Sequence, residues 1–459
     1  MRPGFFDGAS VLLLGATVAL LGCGGSSPMI ETPTKPGTPA TNTLGGEISG
    51  GQQPVTGMTL QLYDAGSNGY GSAATGMLTG TLPTTDPNGS FNFTNPTCPH
   101  PSDQVYLVGT GGDPVAAGLT QGQTNPNLAL MVALGNCSGL SSITHIHMNE
   151  LTTVAAVWAL APFMSGNTQT YQNVGASSTN AAGLELAFAA AGQVVNISNG
   201  TLPGTLPTGA TLQTSEVNTI ADLLEACINS KGGTSGDGSS CGNLFAAAPS
   251  ASGNPTDTIT AAMNIAQNPA RSVPSLDLVV SNTSTFQPIV ASPTAFTIAI
   301  QYTGGGLNAP TAIAADQSGN IWVTNSGGSS VSQFDNTGTP NAAFGGNGVA
   351  LGGTPGGLAI DLSGNAWIAT SANNVLEVSP SGSVLTTLSN NGMNAPVSVA
   401  IDGGGDLWVV NSGSGANSVS AFTSAGTPLT NSPFSGGGIS VPASIAINGY
   451  ANANCADCQ

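Results

Sequence analysis

The C-terminal part of the chain contains the stretch that decides its fold, PTAIAADQSGNIWV at 310–323. The same spacing returns in PGGLAIDLSGNAWI at 355–368 and in PVSVAIDGGGDLWV at 396–409. A shorter fourth copy, PASIAIN, begins at Pro442. Because Pro, the aliphatic residue, Ala, Asp, Gly and Trp keep the same offsets in each full copy, this is a structural repeat and not a compositional bias.

Each copy predicts two β-strands joined by a tight turn. An Asp caps the turn and a Gly occupies its left-handed position. A Trp in the following strand is expected to point into the gap between neighbouring repeats. Since a four-stranded propeller blade uses about 40–50 residues, residues 276–459 are predicted to form β-propeller repeats. The repeat residues in question are Asp316, Trp322, Asp361, Trp367, Asp402 and Trp408.

The repeat resembles those of NHL-type and streptogramin-lyase-like propellers, over residues 304–459. The resemblance implies the fold, and in the lyases it implies a site of histidines and a glutamate around magnesium. Here all three histidines, His100, His145 and His147, precede the repeats, and Glu377 is the only glutamate within them. No catalytic residue can be carried over, and no cofactor is expected. The three Asp residues recur in every copy, as turn residues do, and are not expected to bind metal.

The repeats are too few to close a ring. Closed propellers use about 4–8 blades, whereas this chain offers three full copies and the start of a fourth. Strands expected at 276–280 and 295–302 would bring the total to at most about four blades. We therefore expect an open arc, either because the chain is a truncated form of a longer propeller protein or because a second copy or a partner completes the ring.

The N-terminus has the pattern of an export signal. The apolar or small run from Ala9 to Gly22 is shorter than the about 20 residues that span a bilayer. It ends in Leu-Leu-Gly-Cys23, which resembles the lipobox of bacterial lipoproteins and implies a signal peptide over 1–22 and acylation of Cys23; ordinary secretion is the alternative. A Pro/Thr/Gly-rich stalk follows over 23–43. The protein is thus expected to be exported and anchored by lipid to the bacterial cell envelope, at the outer membrane or cell surface.

The middle of the chain predicts two further domains. Residues 44–135 alternate with period 2 at 58–63 and contain a Gly-x-Phe-x-Phe strand at 89–93. They resemble the carboxypeptidase-regulatory-like β-sandwich, which implies a spacer or presenting module. Residues 136–275 predict a small helical domain, with helices at 149–160, from Ser215 as N-cap, and from Asp257 to before Pro269. The predicted fold class is therefore multidomain and mainly β, with a sandwich, a small helical domain and a partial propeller.

Six cysteines remain after Cys23, and an even number in an exported chain favours disulfides. Cys227 and Cys241 flank a Gly/Ser-rich stretch and are the first predicted pair. Cys98 and Cys137 are the second. The terminal Cys455 and Cys458 could form a redox or metal pair, but one Cys-x-x-Cys without a second pair is weak evidence for that role, and their pairing is left open.

Two motifs outside the repeats carry groups with possible chemistry. His145 and His147 would share one face of a strand, with Glu150 close behind, so that zinc binding is one interpretation and a polar strand face the favoured one. The Gly-x-Ser-x-Gly spacing at 238–242 matches a nucleophile elbow, but no buried strand precedes it, so we interpret it as a chance match.

Charge excludes one class of function. The chain has 22 acidic and 4 basic residues and a formal net charge of -18, so it lacks the cationic clusters that bind phosphates of nucleic acids or anionic lipids. The favoured function is a non-catalytic envelope lipoprotein that presents a propeller surface to a macromolecule or glycan. The alternative is a propeller enzyme of the streptogramin lyase or lactonase type.

Overall fold

The computed structural model describes residues 43–115, 120, 122–280 and 285–447. They form a mainly β structure with several four-stranded antiparallel sheets and a few helices. None of the helices in these ranges is long and apolar enough to cross a membrane. The predicted signal peptide, Cys23, the stalk up to residue 42, and the pair Cys455 and Cys458 lie outside the described residues.

The N-terminal part combines two four-stranded sheets and one two-stranded sheet with six α-helices. Short 3₁₀ turns connect these elements at Cys137–Ser142, Ala161–Phe163, Thr170–Gln172 and Ser178–Asn180. In chain order the strands and helices are β1 (Thr43–Gly50), β2 (Gln53–Pro54), β3 (Thr59–Asp64), β4 (Thr75–Gly76), β5 (Ser90–Thr94), β6 (Gln104–Thr110), β7 (Ala129–Asn136), β8 (Ile146–Met148), α1 (Glu150–Leu160), α2 (Ala181–Val194), β9 (Ala210–Leu212), α3 (Thr214–Ile228), α4 (Ser240–Ala247), α5 (Thr258–Gln267), α6 (Val273–Asp277) and β10 (Ile300–Tyr302).

Strand β1 is the centre of the first sheet. It pairs antiparallel with β2 and β5, and parallel with the three-residue strand β8. The second sheet has the order β4-β3-β6-β7. Helix α1 packs on β7, and one continuous hydrophobic core extends from Leu44 to Phe296. Residues on both sides of position 135 therefore contribute to the same core.

Capping residues explain where the main helices begin. The Asn149 side chain accepts a hydrogen bond from Thr152 N–H at the start of α1, and Asp257 accepts one from Thr260 N–H at the start of α5, both as expected from the sequence. The predicted cap of α3 is wrong. Helix α3 begins at Thr214, and the Ser215 hydroxyl lies inside its first turn, where it donates to Glu216 instead of capping.

The two segments expected to add strands to the propeller do not do so. The first, 276–280, overlaps α6, because Pro274 fits the first turn of a helix, where its missing N–H costs nothing. The second contains β10, which pairs with β9 and not with a blade.

Both predicted cysteine pairs are disulfide-bonded. Cys98 joins Cys137, directly after β7, and Cys227 in the last turn of α3 joins Cys241 in the first turn of α4. The second bond fixes two consecutive helices to each other. Disulfides of this kind are typical of exported proteins.

The repeat segment forms three sheets of four antiparallel strands each, one per repeat, and each sheet is called a blade below. In every blade the repeat Trp lies directly opposite the repeat Ala of the first strand: Ala314 opposite Trp322, Ala359 opposite Trp367, and Ala400 opposite Trp408. A 3₁₀ turn, Ala342–Phe344, lies in the first blade. The strands are β11 (Pro310–Ala315), β12 (Ile321–Asn325), β13 (Ser330–Phe334) and β14 (Val349–Ala350); β15 (Pro355–Ile360), β16 (Ala366–Thr370), β17 (Asn374–Val378) and β18 (Val384–Leu388); and β19 (Pro396–Ile401), β20 (Leu407–Asn411), β21 (Ser418–Phe422) and β22 (Phe434–Ser435).

The core of this part lies between the blades. Trp322 is fully buried in a cluster with Ile368 of the second blade, and Trp367 is buried in a cluster with Val409 of the third. Trp408 differs from the expectation, because it is only half-buried and stacks on Phe434 of its own blade at 5.7 Å. Residues 442–447 form no strand, and within the described residues the three sheets do not close into a ring.

Candidate functional site

The first candidate group is the Asp of each blade turn. Asp316 Oδ1 accepts hydrogen bonds from the N–H groups of Ser318 and Asn320, each at 2.9 Å. Its Oδ2 accepts the indole N–H of Trp322 at 3.2 Å, while Gly319 takes the positive φ of +79° that the turn requires. One carboxylate therefore closes the turn and satisfies the N–H of a buried Trp.

The same unit recurs in the other blades. Asp361 accepts the indole N–H of Trp367 at 3.1 Å, and Asp402 accepts that of Trp408 at 2.9 Å. Burial raises the pKa of Asp316, but hydrogen bonds from Asn320 and Trp322 outweigh it and hold that pKa below its usual value. The indole contact was not expected from the sequence, although the constant six-residue spacing from Asp to Trp was a signal for it.

The opposite end of each blade carries uncharged loops. The loops that join the second and third strands are 326–329, 371–373 and 412–417, and they contain only Ser, Gly, Ala and Asn. Two of them are tied to the following segment: Asn373 accepts from Ala395 N–H at 2.7 Å, and Asn417 accepts from Val441 N–H at 2.8 Å. This end is therefore a neutral surface rich in hydrogen-bonding groups.

The second candidate group surrounds His147. The parallel pairing of β1 and β8 places Glu47 directly beside His147. His147 Nδ1 lies 3.1 Å from Glu47 Oε1, and its Nε2 lies 2.8 Å from the Ser49 hydroxyl oxygen. His145 Nε2 lies 4.0 Å from the same Glu47 oxygen. The sequence placed both histidines on one face, but it did not identify Glu47 or Ser49 as their partners.

Glu150 does not join this group. It is fully buried at the start of α1, and its Oε1 accepts the N–H of Gly51 at 2.7 Å. Burial raises the pKa of Glu150 to about 8. The described residues contain no group of three or more His, Cys, Asp or Glu side chains that could hold a metal ion, so the zinc interpretation of His145, His147 and Glu150 has no support in their geometry.

A cleft of about 540 Å³ opens beside His147. One wall is the loop 196–201. The backbone N–H of His147 donates a hydrogen bond to the carbonyl oxygen of Ile197, and Asn149 Nδ2 donates one to the carbonyl oxygen of Gly200, so both bonds fix the loop in place. Gly200 has φ +65°, and a Cβ there would lie 3.1 Å from His147 Cγ. The wall can therefore approach the imidazole only because this residue is glycine.

The Gly-x-Ser-x-Gly motif is part of a helix start. Ser239 is the N-cap of α4 and accepts the N–H of Gly242, Ser240 is the first helical residue, and Cys241 is in a disulfide. The motif follows a turn and not a strand, so it does not have the strand-turn-helix context of a nucleophile elbow.

No family model and no curated protein matches this chain. Among solved structures it is similar to a catalytically inactive virginiamycin B lyase from Staphylococcus aureus, with 19% identity and a TM-score of 0.26 over 31% of this chain and 45% of that one. A streptogramin B lyase structure gives 19% and 0.24 over 28% and 43%. A protein of unknown function from Bacteroides caccae gives 15% and 0.22 over 28% and 47%. The chain thus spans less than half the length of each of these propeller-like structures.

Proposed function

We propose that this chain is an exported envelope protein, anchored through an acylated Cys23, whose blades bind a glycan or another macromolecule and perform no catalysis. The observation that carries the proposal is the use of the repeat carboxylates. In all three blades the Asp accepts hydrogen bonds from its own turn and its own Trp. These carboxylates therefore have a structural role in the blades. No histidine follows His147 in the chain, so the blades contain no imidazole for catalysis.

The uncharged loop end supports a neutral ligand. No Lys or Arg follows Arg271, so the blades carry no cation that could hold a phosphate or a sulfate. Ser, Asn and backbone groups instead match the hydroxyl groups of a polysaccharide or an uncharged protein surface. This argues for a glycan or protein ligand and against nucleic acid.

Binding can be tested with the purified chain and envelope polysaccharides in a pull-down assay. We expect Ala372→Glu, in the exposed loop of the second blade, to weaken binding because it adds a charge to the neutral surface. The matched control is Leu362→Glu, which adds the same charge at the other end of that blade, where Leu362 is exposed. Equal binding by both variants would place the surface elsewhere. A metal ion bound by blade residues at one per chain would favour the lyase or lactonase alternative.

The anchor can be tested by cell fractionation. Cys23→Ser removes the sulfur that would carry the acyl chains, and acyl chains contribute about 0.8 kcal/mol of membrane affinity per buried methylene. We expect the variant to move from the membrane fraction to the soluble fraction. Retention of the variant in the membrane fraction would contradict the proposed anchor.

A further inference from the structure

We propose that Ser49, His147 and Glu47 form a nucleophilic triad that hydrolyses a small uncharged carboxylic ester in the cleft beside β8. The site lies on the sheet centred on β1 and not on the blades. It goes beyond the proposed binding function and does not depend on it.

Strand geometry explains why the three side chains meet. Successive residues of a strand point to opposite faces. On β1, Leu44 and Ile48 face the core, so Glu47 and Ser49 lie on the other face. On β8, Ile146 and Met148 are buried, so His147 lies on that same outer face, paired with Glu47. The imidazole therefore reaches two side chains that are two residues apart on the neighbouring strand.

The hydrogen bonds have the order that a hydrolytic triad needs. Glu47 Oε1 is 3.1 Å from His147 Nδ1 and accepts a hydrogen bond from Nδ1–H, which leaves Nε2 as the unprotonated nitrogen. Nε2 accepts a hydrogen bond from the Ser49 hydroxyl at 2.8 Å. Nucleophile, base and orienting carboxylate are thus in sequence, and such constellations are recognised by geometry and not by position in a fold.

The surroundings favour the neutral form of the imidazole. Burial lowers the pKa of His147, and His145 lowers it further, while Glu47 opposes both. The loop 196–201 on the other side contains no titratable side chain, and Glu150 on α1 faces away toward Gly51. A neutral His147 can accept a proton at neutral pH.

The cleft has the size and polarity for a small acyl compound. Its about 540 Å³ is lined by the amide side chains of Gln52, Asn88 and Asn199, a source of N–H donors for a developing oxyanion, and by the apolar Leu151 and Phe286. No Lys or Arg lines it, and the chain has a net charge of -18. An uncharged ester is therefore favoured over an anionic one.

The reaction balances with water as the second substrate. Ser49 Oγ attacks the carbonyl carbon while its proton passes to His147 Nε2. The bond to the alcohol oxygen breaks, and this oxygen takes the proton from His147, which leaves an acyl-Ser49. Water then gives a proton to His147 and attacks the acyl carbon, and Ser49 leaves with that proton. The net change is ester plus water to carboxylic acid plus alcohol.

The experiment uses the purified chain with p-nitrophenyl acetate, and separately with a fluorophosphonate probe followed by mass spectrometry. We expect turnover and a label on Ser49, and we expect Ser49→Ala to lose both. His147→Gln should lower kcat by at least about 100-fold, as for other triad bases. The matched control is Ser90→Ala, since Ser90 pairs with Glu47 from the opposite edge of β1 and should be dispensable.

Glu47 is a positioning residue, and its test is the pH profile. Activity should rise with pH as His147 loses its proton. Because Glu47 raises the pKa of His147, Glu47→Gln should move that rise to lower pH and lower kcat more than it changes KM. Glu47 is about half exposed, so this variant should fold even if another does not.

Three results would overturn the proposal: no turnover and no label in the wild-type chain, equal turnover by Ser49→Ala, or a label on another residue. Ala372→Glu separates the two proposals, because it should weaken ligand binding by the blades and leave ester hydrolysis unchanged. The thermal unfolding of each variant, followed by circular dichroism, shows whether a loss reflects the site or the fold.

Discussion

At the scale of single residues, the blade turns depend on the two oxygens of one carboxylate. One oxygen of Asp361 accepts backbone N–H groups of its turn, and the other accepts the indole N–H of Trp367. Trp367 is 5% exposed, so without this Asp its indole N–H would need another acceptor at a nearly buried position. A buried donor without an acceptor costs about 1–3 kcal/mol. Position 361 therefore needs an acceptor for the indole as well as for the turn, and Asp provides both.

We therefore predict that Asp361→Asn destabilises the chain by about 1–3 kcal/mol in denaturant unfolding. An amide has one oxygen and one NH₂ group, so whichever way it is oriented a donor faces either the turn or the indole. The control is Asp406→Asn, which gives the third blade the residue that Asn320 and Asn365 provide in the other two. It should be neutral or slightly stabilising. An unchanged stability of Asp361→Asn would show that the indole bond contributes nothing.

The sequence revealed these residues unequally. Asp and Trp were recognised because they recur, and the capping of α1 by Asn149 followed from local chemistry. Ser49 and Glu47 were missed because their partner, His147, lies 98 residues from Ser49 in the chain. Nothing local marks such a pair, since it depends on which strands become neighbours.

At the scale of elements, β8 and the start of α1 connect the helices of the N-terminal part to the sheet of β1. The sequence indicated a polar strand followed by a capped helix, and both are present. It did not indicate that the three residues of β8 extend the sheet of β1. A strand this short has too little sequence pattern to predict its partner, and its position depends on the packing of Ile146 and Met148 in the core. Glu150 follows directly and is buried against Gly51, where its carboxyl joins α1 to the β1–β2 turn.

The burial of Glu150 predicts a pH-dependent stability. Burial raises its pKa from 4.5 to about 8; backbone hydrogen bonds at Glu150 and Gly51 oppose the rise, and Glu225 and Asp222 add to it. Because the folded-state pKa is raised, its contribution to stability is complete below the unfolded value and is lost as pH rises toward 8, by about 1.4 kcal/mol for each pH unit between the two values.

The test is the free energy of unfolding of Glu150→Gln at pH 5 and pH 8. The neutral amide keeps an acceptor for Gly51, so the loss of stability between these values should be smaller than in the wild type. Glu185→Gln, on the exposed side of α2, should leave the wild-type pH dependence unchanged. Identical curves for the wild type and Glu150→Gln would contradict the prediction.

At the scale of the whole molecule, the two parts of the chain are built on different principles. The N-terminal part has one large core between sheets and helices. The apolar runs predicted that a core exists. They did not predict that residues 44–135 and 136–275 share it. The blades have separate small cores between successive sheets, which the repeat predicted directly. The prediction of a buried Trp is wrong for Trp408. It lies in the third blade, and no further blade among the described residues packs against it.

The exposed face of the first blade provides the last prediction. Ile313, Leu358 and Val399 occupy the same position in the repeat, yet Ile313 is 71% exposed and Val399 only 5%. Leu358 and Val399 each pack in a core between blades, whereas no described blade lies against Ile313. Val399→Ala should therefore cost about 2 kcal/mol through lost burial and the cavity it leaves, and Ile313→Ala should change stability by less than about 0.5 kcal/mol. If Ile313→Ala costs as much as Val399→Ala in denaturant unfolding, or if it dissociates an oligomer in sedimentation, this face is covered in the protein and the arc is not open there.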